Sequence, residues 1–438
     1  MFDLELEWTL ELEVVTPMRI GSGEDYEAGE GEARHRVGAI QRDHAGRAHI
    51  PGSTLKGALR ALDPEADDLW GVIKANGSGR MGRATIYGAS AEGPEISAEP
   101  LPRNMQASGP NAFVAAHVQI DPATGAADEH LLFFKEMTPP GVRFKPRLTL
   151  RFGKATLDDA DNAVVNRVRR ILGRLEAEGL RLGSGSADAD GRLRLAGSHL
   201  TARAWAAGSH LTARAGARGK WVNSQIDGSP VKYSVPGDGS PISLVLTCEG
   251  PFLILDGEKR ANVEPGQPHL KALRLPDGRA WTPGSSLTGA MRARLAWLAS
   301  LDALRGGEDP AAARAEGLKA AKAVFGSTDQ RAPLRLTDIR THAIGKPTAS
   351  PRTQTFTSVS LDRFSAAPLD GALFTSEAFV GVMVAADLVL DSDDQEIGAW
   401  VARLLNDLGE NGLQIGSAGA RGFGWFAAQI HQPGDLDD

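Results

Sequence analysis

Phe2, Leu4, Leu6, Trp8, Leu10, Leu12 and Val14 alternate with Asp3, Glu5, Glu7, Glu11 and Glu13 at the start of the chain. A period of two predicts a strand with one apolar face and one face of carboxylates. A different period appears later. Val164, Val165, Val168, Ile171, Leu172 and Leu175 recur at helical spacing, and so do Ile397, Trp400, Val401, Leu404, Leu405 and Leu408. Acidic residues open both helices: Asp158, Asp159 and Asp161 in one, Asp391, Asp393 and Asp394 in the other. They sit where the helix dipole is positive. A shorter helix is predicted within Ile50-Pro-Gly-Ser-Thr-Leu-Lys-Gly-Ala-Leu-Arg60. There Pro-Gly makes the turn, Ser53 is placed to cap, and Leu55, Ala58, Leu59 and Leu62 form the apolar face.

That helix occurs twice. Gly46-Arg-Ala-His-Ile-Pro-Gly-Ser-Thr-Leu-Lys-Gly-Ala-Leu-Arg60 returns as Gly278-Arg-Ala-Trp-Thr-Pro-Gly-Ser-Ser-Leu-Thr-Gly-Ala-Met-Arg292. Leu180-Arg-Leu-Gly-Ser-Gly185 is echoed by Leu413-Gln-Ile-Gly-Ser-Ala418, and His117-Val-Gln-Ile-Asp121 by Ser358-Val-Ser-Leu-Asp362. A repeat of about half the chain means two homologous domains rather than a solenoid. The division expected is a first module over residues 1–198, a basic linker over 199–240 and a second module over 241–438.

Composition narrows the class. The 438 residues carry a net charge of −7 and one cysteine, Cys248, so disulfides and a cysteine-built zinc site are excluded. No apolar run is long enough to cross a membrane, and the acidic start is unlike a secretory signal, so a cytoplasmic protein without a membrane partner is expected. Charge is unevenly spread. No acid lies between Asp190 and Asp227, while Arg192, Arg194, Arg203, Arg214, Arg218 and Lys220 do. Within this stretch Ala196-Gly-Ser-His-Leu-Thr-Ala-Arg-Ala204 is repeated as Ala207-Gly-Ser-His-Leu-Thr-Ala-Arg-Ala215. An insertion tolerated by a linker explains it; a basic segment along a nucleic-acid backbone is the alternative.

The repeated loops suit phosphate. A helix N-terminus offers unpaired N–H groups, and Lys56 and Arg60 project from the first turns beside Ser53. The second copy supplies Ser285 and Arg292, with Thr288 in the place of Lys56. The glycine loop Gly416-Ser-Ala-Gly-Ala-Arg-Gly-Phe-Gly-Trp425 permits close backbone approach at Gly416, Gly419 and Gly422. Arg421 adds charge, and Phe423 and Trp425 can stack or pack. Its first copy, Gly183-Ser-Gly-Ser-Ala-Asp-Ala-Asp-Gly191, carries Asp188 and Asp190 instead and is less hospitable to phosphate.

Together the Pro-Gly-Ser-x-Leu-x-Gly-x-x-Arg helices, the Trp70-Gly71 and Phe325-Gly326 stops, the Val-x-Ile-Asp loop and the terminal glycine loop resemble the RAMP superfamily of CRISPR-associated proteins. Val118-Gln-Ile-Asp-Pro-Ala-Thr-Gly125 is similar to the thumb hairpin of backbone subunits of type III effector complexes. The resemblance implies an α+β chain of two tandem ferredoxin-like, RNA-recognition-type modules, each with a thumb. It further implies a crRNA-binding subunit that holds guide and complementary target RNA beside other effector subunits. A crRNA-processing endoribonuclease and a non-catalytic scaffold are the alternatives.

Backbone subunits of that family often cut target RNA with a divalent ion and an aspartate in the loop ahead of Pro-Gly-Ser. Here Val37 and Leu270 occupy the matching places. A gapless alignment of residues 17–43 with 251–277 nevertheless pairs Glu30 and His35 with Glu264 and His269. A carboxylate can hold Mg2+ or activate a 2′-hydroxyl, and a histidine can transfer a proton. These four, with Asp25, are the candidate catalytic residues; no metal ligands are assigned and no structural cofactor is expected.

Overall fold

The computed structural model describes the chain apart from residues 1–3, 29–34, 74–78, 93–110, 121–126, 154–156, 186, 207–208, 215–240, 258–266, 328, 362–367 and 432–438. The first module opens with β1 (Leu4–Val14), β2 (Gly21–Ala28), β3 (His35–Ile40) and β4 (His49–Ile50), then α1 (Gly52–Leu62) and α2 (Asp67–Trp70). Four short strands follow: β5 (Gly71–Ile73), β6 (Gly79–Met81), β7 (Ala84–Tyr87) and β8 (Ala89–Glu92). A hairpin, β9 (Phe113–Ile120) and β10 (Ala127–Met137), leads to β11 (Arg143–Phe144) and β12 (Arg147–Phe152). The module closes with α3 (Asp159–Glu178), β13 (Leu180–Arg181), β14 (Arg192–Ala206) and β15 (Ser209–Arg214).

The second module runs β16 (Ile242–Phe252), α4 (Gly284–Arg305), α5 (Pro310–Phe325) and β17 (Leu334–Ala343). It continues through β18 (Arg352–Leu361), β19 (Pro368–Leu390), α6 (Gln395–Asn411), β20 (Leu413–Gln414) and β21 (Trp425–His431). Both modules share one strand order. In the first, β14, β1, β12 and β7 lie side by side; in the second, β21, β16, β19 and β17 do. Each set is antiparallel, with α1 and α3, or α4 and α6, in the two crossovers. This is the ferredoxin-like arrangement, built twice.

The alternation in β1 gives its core face. Leu6, Trp8, Leu10 and Leu12 are buried and join Leu55 and Leu59 of α1 and Val168, Leu172 and Leu175 of α3 in one cluster. Asp158 caps α3 by accepting from the Asp161 N–H, and Asp394 caps α6 by accepting from Glu396 and Ile397. The other face of β1 differs from the bare carboxylate surface expected. Glu5 pairs with Arg151 at 2.8 Å, Glu7 with Arg147 at 3.3 Å, and Glu13 with Arg143 and Arg194 at 3.2 and 2.9 Å. Arginines on both flanking strands neutralise the acids, which a one-strand pattern cannot reveal.

The module boundary also moves. Residues 199–206, expected as linker, continue β14 and pair with β1 as far as Leu4↔Ala204. The duplicated segment then folds back on its own original, from Thr201↔Arg214 to Ala206↔Ser209. The insertion thus added an edge strand to the first module; what remains of the linker, residues 215–240, lies outside the described residues.

Candidate nucleic-acid interface

Each Pro-Gly-Ser turn delivers the chain into a helix without a side-chain cap. Pro51 and Pro283 occupy the caps at φ −62°, ψ 141° and φ −57°, ψ 137°. Ser53 does not cap, since it lies inside the first turn, where it is exposed, as is Ser285. The first N–H groups of both helices must therefore find partners elsewhere.

The two glycine loops share one backbone course. Ser184 donates to the Arg19 carbonyl at 2.9 Å as Ser417 donates to Leu253 at 2.7 Å. Gly191 donates to Pro17 at 2.8 Å as Gly424 donates to Pro251 at 2.7 Å. Left-handed φ angles recur in step: 88° and 86° at Gly183 and Gly416, 62° and 80° at Ala189 and Gly422, 71° and 72° at Gly191 and Gly424. By this correspondence Asp188 stands where Arg421 stands, and Asp190 where Phe423 stands.

Their surroundings are opposite. The first loop plugs the start of α4. Leu336 of β17 donates to the Ala187 carbonyl at 3.0 Å, and a Cβ added to Gly284 would fall 1.6 Å from the Asp188 carbonyl oxygen, so only glycine fits. The Asp188 carboxylate meets the Thr288 hydroxyl and feels Lys135 and Arg292, although burial raises its pKa overall. Ala189 is buried in the second module's core. Arg181 donates to the Leu336 and Thr337 carbonyls, and Arg192 pairs with Asp338 at 3.0 Å. An apolar seam of Phe113, Ala115 and Met137 against Leu273, Leu275 and Trp281 extends the contact.

The second loop has no such cover from the described residues. Gly416, Ala420, Arg421 and Gly422 are exposed, while Gly419 packs on Gln414. Phe423 is only 6 % exposed and packs edge-on to Phe356 at 5.3 Å, so its ring lies in the core; Trp425, at 53 %, presents the open aromatic surface. The candidate cations divide likewise. Arg60 pairs with Asp67 at the start of α2 at 3.2 Å, and Arg292 donates to the Gly326 carbonyl of the glycine stop at 2.9 Å. Lys56 is half-buried with no ion pair among the described residues, and the Arg421 guanidinium lies 5.7 Å from the Phe423 ring centroid. Lys56 and Arg421 are the candidate cations left for phosphate.

Both hairpins expected to act as thumbs exist. His117 lies opposite Phe133 across β9 and β10, and Ser358 lies opposite Phe374 across β18 and β19. Val118, Leu132 and Phe133 are exposed on the first, Val359 and Phe374 on the second. The hairpin tips and the side chains of Leu131 and Leu373 lie outside the described residues.

The candidate catalytic residues do not converge among the described residues. Asp25 pairs with Arg36 at 3.4 Å, and the His35 ring packs on Phe134 with centroids 3.9 Å apart. His269 Nδ1 lies 2.7 Å from the Thr375 hydroxyl and 3.2 Å from its backbone N, which donates to it. Glu30 and Glu264 lie outside the described residues. Val37 is fully buried beside Val114 and Phe134. Among the described residues no three acidic, histidine or cysteine side chains group as a metal site.

Sequence reading missed a cluster at the base of the first hairpin, formed by Arg19, His117 and Lys135 with Asp188 and Asp190 nearby. These residues are far apart in sequence, and the repeat does not carry the cluster, since Ser358 stands at the place of His117 in the second module.

Comparison with protein families matches residues 11–187 and 236–427 to the RAMP superfamily. One matched segment falls in each module, and the chain belongs to this family, whose members are CRISPR-associated RNA-binding proteins. No match was found among curated proteins. No described helix is long and apolar enough to cross a membrane.

Proposed function

We propose that the chain is a crRNA-binding backbone subunit of a type III-like CRISPR ribonucleoprotein, cytoplasmic, holding guide and target RNA beside other effector subunits. The observation that carries this reading is the pair of exposed hairpins in matching register, Phe133 on one and Phe374 on the other. Two apolar blades at corresponding places of tandem modules suit a ligand that repeats along its length, and apolar wedges can unstack neighbouring bases. Lys56 and Arg421 supply phosphate contacts, which position a strand without reading its sequence.

The test is to purify the chain from cells carrying its neighbouring genes and to sequence the bound RNA. RNA of uniform length is expected, with affinity that falls with salt and is nearly independent of spacer sequence. Protein free of RNA that also fails to bind added crRNA at low salt would refute the reading.

A further inference from the structure

Three nitrogen-bearing side chains crowd together at the base of the first hairpin. Arg19 follows β1, and its guanidinium lies so close to two glycines that a Cβ at Gly21 or Gly38 would sit 2.9 or 2.7 Å from an Nη atom. His117 and Phe133 are direct cross-strand partners whose rings stack at 5.5 Å and 8°. Lys135, two residues further along the same face, holds Nζ 4.7 Å from that ring centroid. None of the three has an ion pair among the described residues, and both Arg19 Nε and His117 Nε2 are buried without a hydrogen-bond partner. Buried polar atoms are normally paired, so two orphans in one cluster call for a ligand rich in acceptors.

The electrostatics point the same way. Burial, then Lys135 and Arg19, push the His117 pKa down to about 4. Burial, then Arg19, lowers that of Lys135. Asp188 and Asp190 of the glycine loop face Lys135, and Asp25, paired with Arg36, shares the Gly38 side of the Arg19 guanidinium. Burial, with Asp188 adding, pushes Asp190 up to about 8, so near neutral pH it is largely protonated and supplies little countercharge. An anion placed among these groups would relieve their mutual repulsion.

Resting on the RNA-holding reading above, we propose that Arg19, His117 and Lys135 bind one phosphodiester of an RNA strand, with an adjacent base against the exposed edge of Phe133. Phosphate oxygens accept hydrogen bonds only, which matches the donor Arg19 Nε and the His117 tautomer that carries its proton on Nε2. The aromatic ring accepts any base. The site belongs to the first module alone. Hydrogen-bond and register equivalence places Leu253, Ser358 and Ser376 at the corresponding positions of the second, which keeps the aromatic at Phe374 but none of the three nitrogen-bearing side chains.

The test uses the full chain stripped of RNA and a fluorescent single-stranded RNA. Arg19→Gln with Lys135→Met, the latter keeping an apolar stem over Phe133, should weaken binding about tenfold or more. The slope of log affinity against log salt should fall by about 0.7, the share of one single-strand phosphate. Ser358→Ala in the second module should change neither. On unsubstituted protein, NMR of the His117 imidazole should show its pKa rising when RNA is added, because a neighbouring anion favours the protonated ring. If the wild type binds RNA but the double variant keeps its affinity and slope, or the His117 titration is unmoved, the site is overturned while the RNA-holding reading stands. If the wild type binds no RNA, both fail.

Discussion

The two glycine loops have nearly one backbone and opposite chemistry. Glycines and left-handed turns recur in step, yet the first loop ends in Asp188 and Asp190 and the second in Arg421 and Phe423. The acidic loop faces inward, with its backbone against Gly284 and its carboxylate against Thr288. The basic loop has its Arg421 exposed. The receiving helices differ too, with Thr288 beneath the inner glycine loop, whereas the start of the Lys56 helix meets Ile86 and Gly88 instead of a glycine loop. Backbone geometry therefore came from the repeat, and side-chain substitution decided whether a loop joins module to module or faces outward with positive charge.

The severest way to break this comparison is to make the inner loop like the outer one. Asp188→Arg would bury a cation beside Lys135 and Arg292 and remove the carboxylate beside the Thr288 hydroxyl. A loss of about 3 kcal/mol is expected, typical of a mispaired buried charge. Calorimetry should then show two transitions in place of one as the modules unfold separately. Gly284→Ala tests the same contact sterically and should cost about 1–3 kcal/mol, as overpacking does.

A second prediction sharpens the division among cations. Lys56→Ala with Arg421→Ala should weaken RNA binding uniformly across spacer sequences and flatten its salt dependence, with little change in melting temperature. Arg60→Ala and Arg292→Ala should lower the melting temperature, because each loses an observed partner, Asp67 or the Gly326 carbonyl. Equal affinity losses from both pairs would erase the distinction.

For the first-strand loops, the test is complementary target RNA incubated with the loaded particle in magnesium and in EDTA. No cutting leaves a non-catalytic scaffold. If magnesium-dependent cutting is seen, it is assigned to these loops. Asp25→Ala, Glu30→Ala or His35→Ala should abolish cutting at one position, and Glu264→Ala or His269→Ala at the other. A cutting pattern unchanged in all five would place the chemistry elsewhere.

The pH dependence should set the inner loop apart further. The Asp190 pKa is raised from 3.8 to about 8 in the folded chain, so folding takes up a proton between those values. Its contribution is present below 3.8 and is lost as pH rises through about 8. His117 has the opposite sign: its pKa is lowered from 6.5 to about 4, so stability falls as pH drops from about 6.5 towards 4. Asp190→Asn should flatten the alkaline limb of a melting-temperature profile and leave the acid limb. The smallest effect belongs to Ser53→Ala, which removes no capping bond and should stay within about 0.5 kcal/mol.

Much of the fold was legible in one dimension. Period-two alternation gave β1, helical spacing and acidic starts gave α3 and α6, and the returning Pro-Gly-Ser turns gave the duplication. Such signals depend on neighbours within one or two turns of chain. The site was only partly legible, because Lys56 and Arg60 look alike in sequence. Asp67, seven residues on, gives Arg60 an ion-pair partner that Lys56 lacks among the described residues. Phe423, still in the glycine loop, turns into the core, whereas Trp425 opens β21 on its exposed face, and the sequence does not separate the two.

The amino-acid order by itself determined which segments become strands and helices, and that the set occurs twice, since hydrophobic periodicity and glycine turns act locally. Tertiary structure decided everything that depends on charge. It set arginines beside the carboxylates of β1, drew residues 199–206 and 209–214 into the sheet, and seated Asp188 on the second module. It also gathered Arg19, His117 and Lys135 from three separate segments. Coulombic and desolvation energies depend on distance and burial in space, and those are fixed only when strands from remote parts of the chain lie side by side.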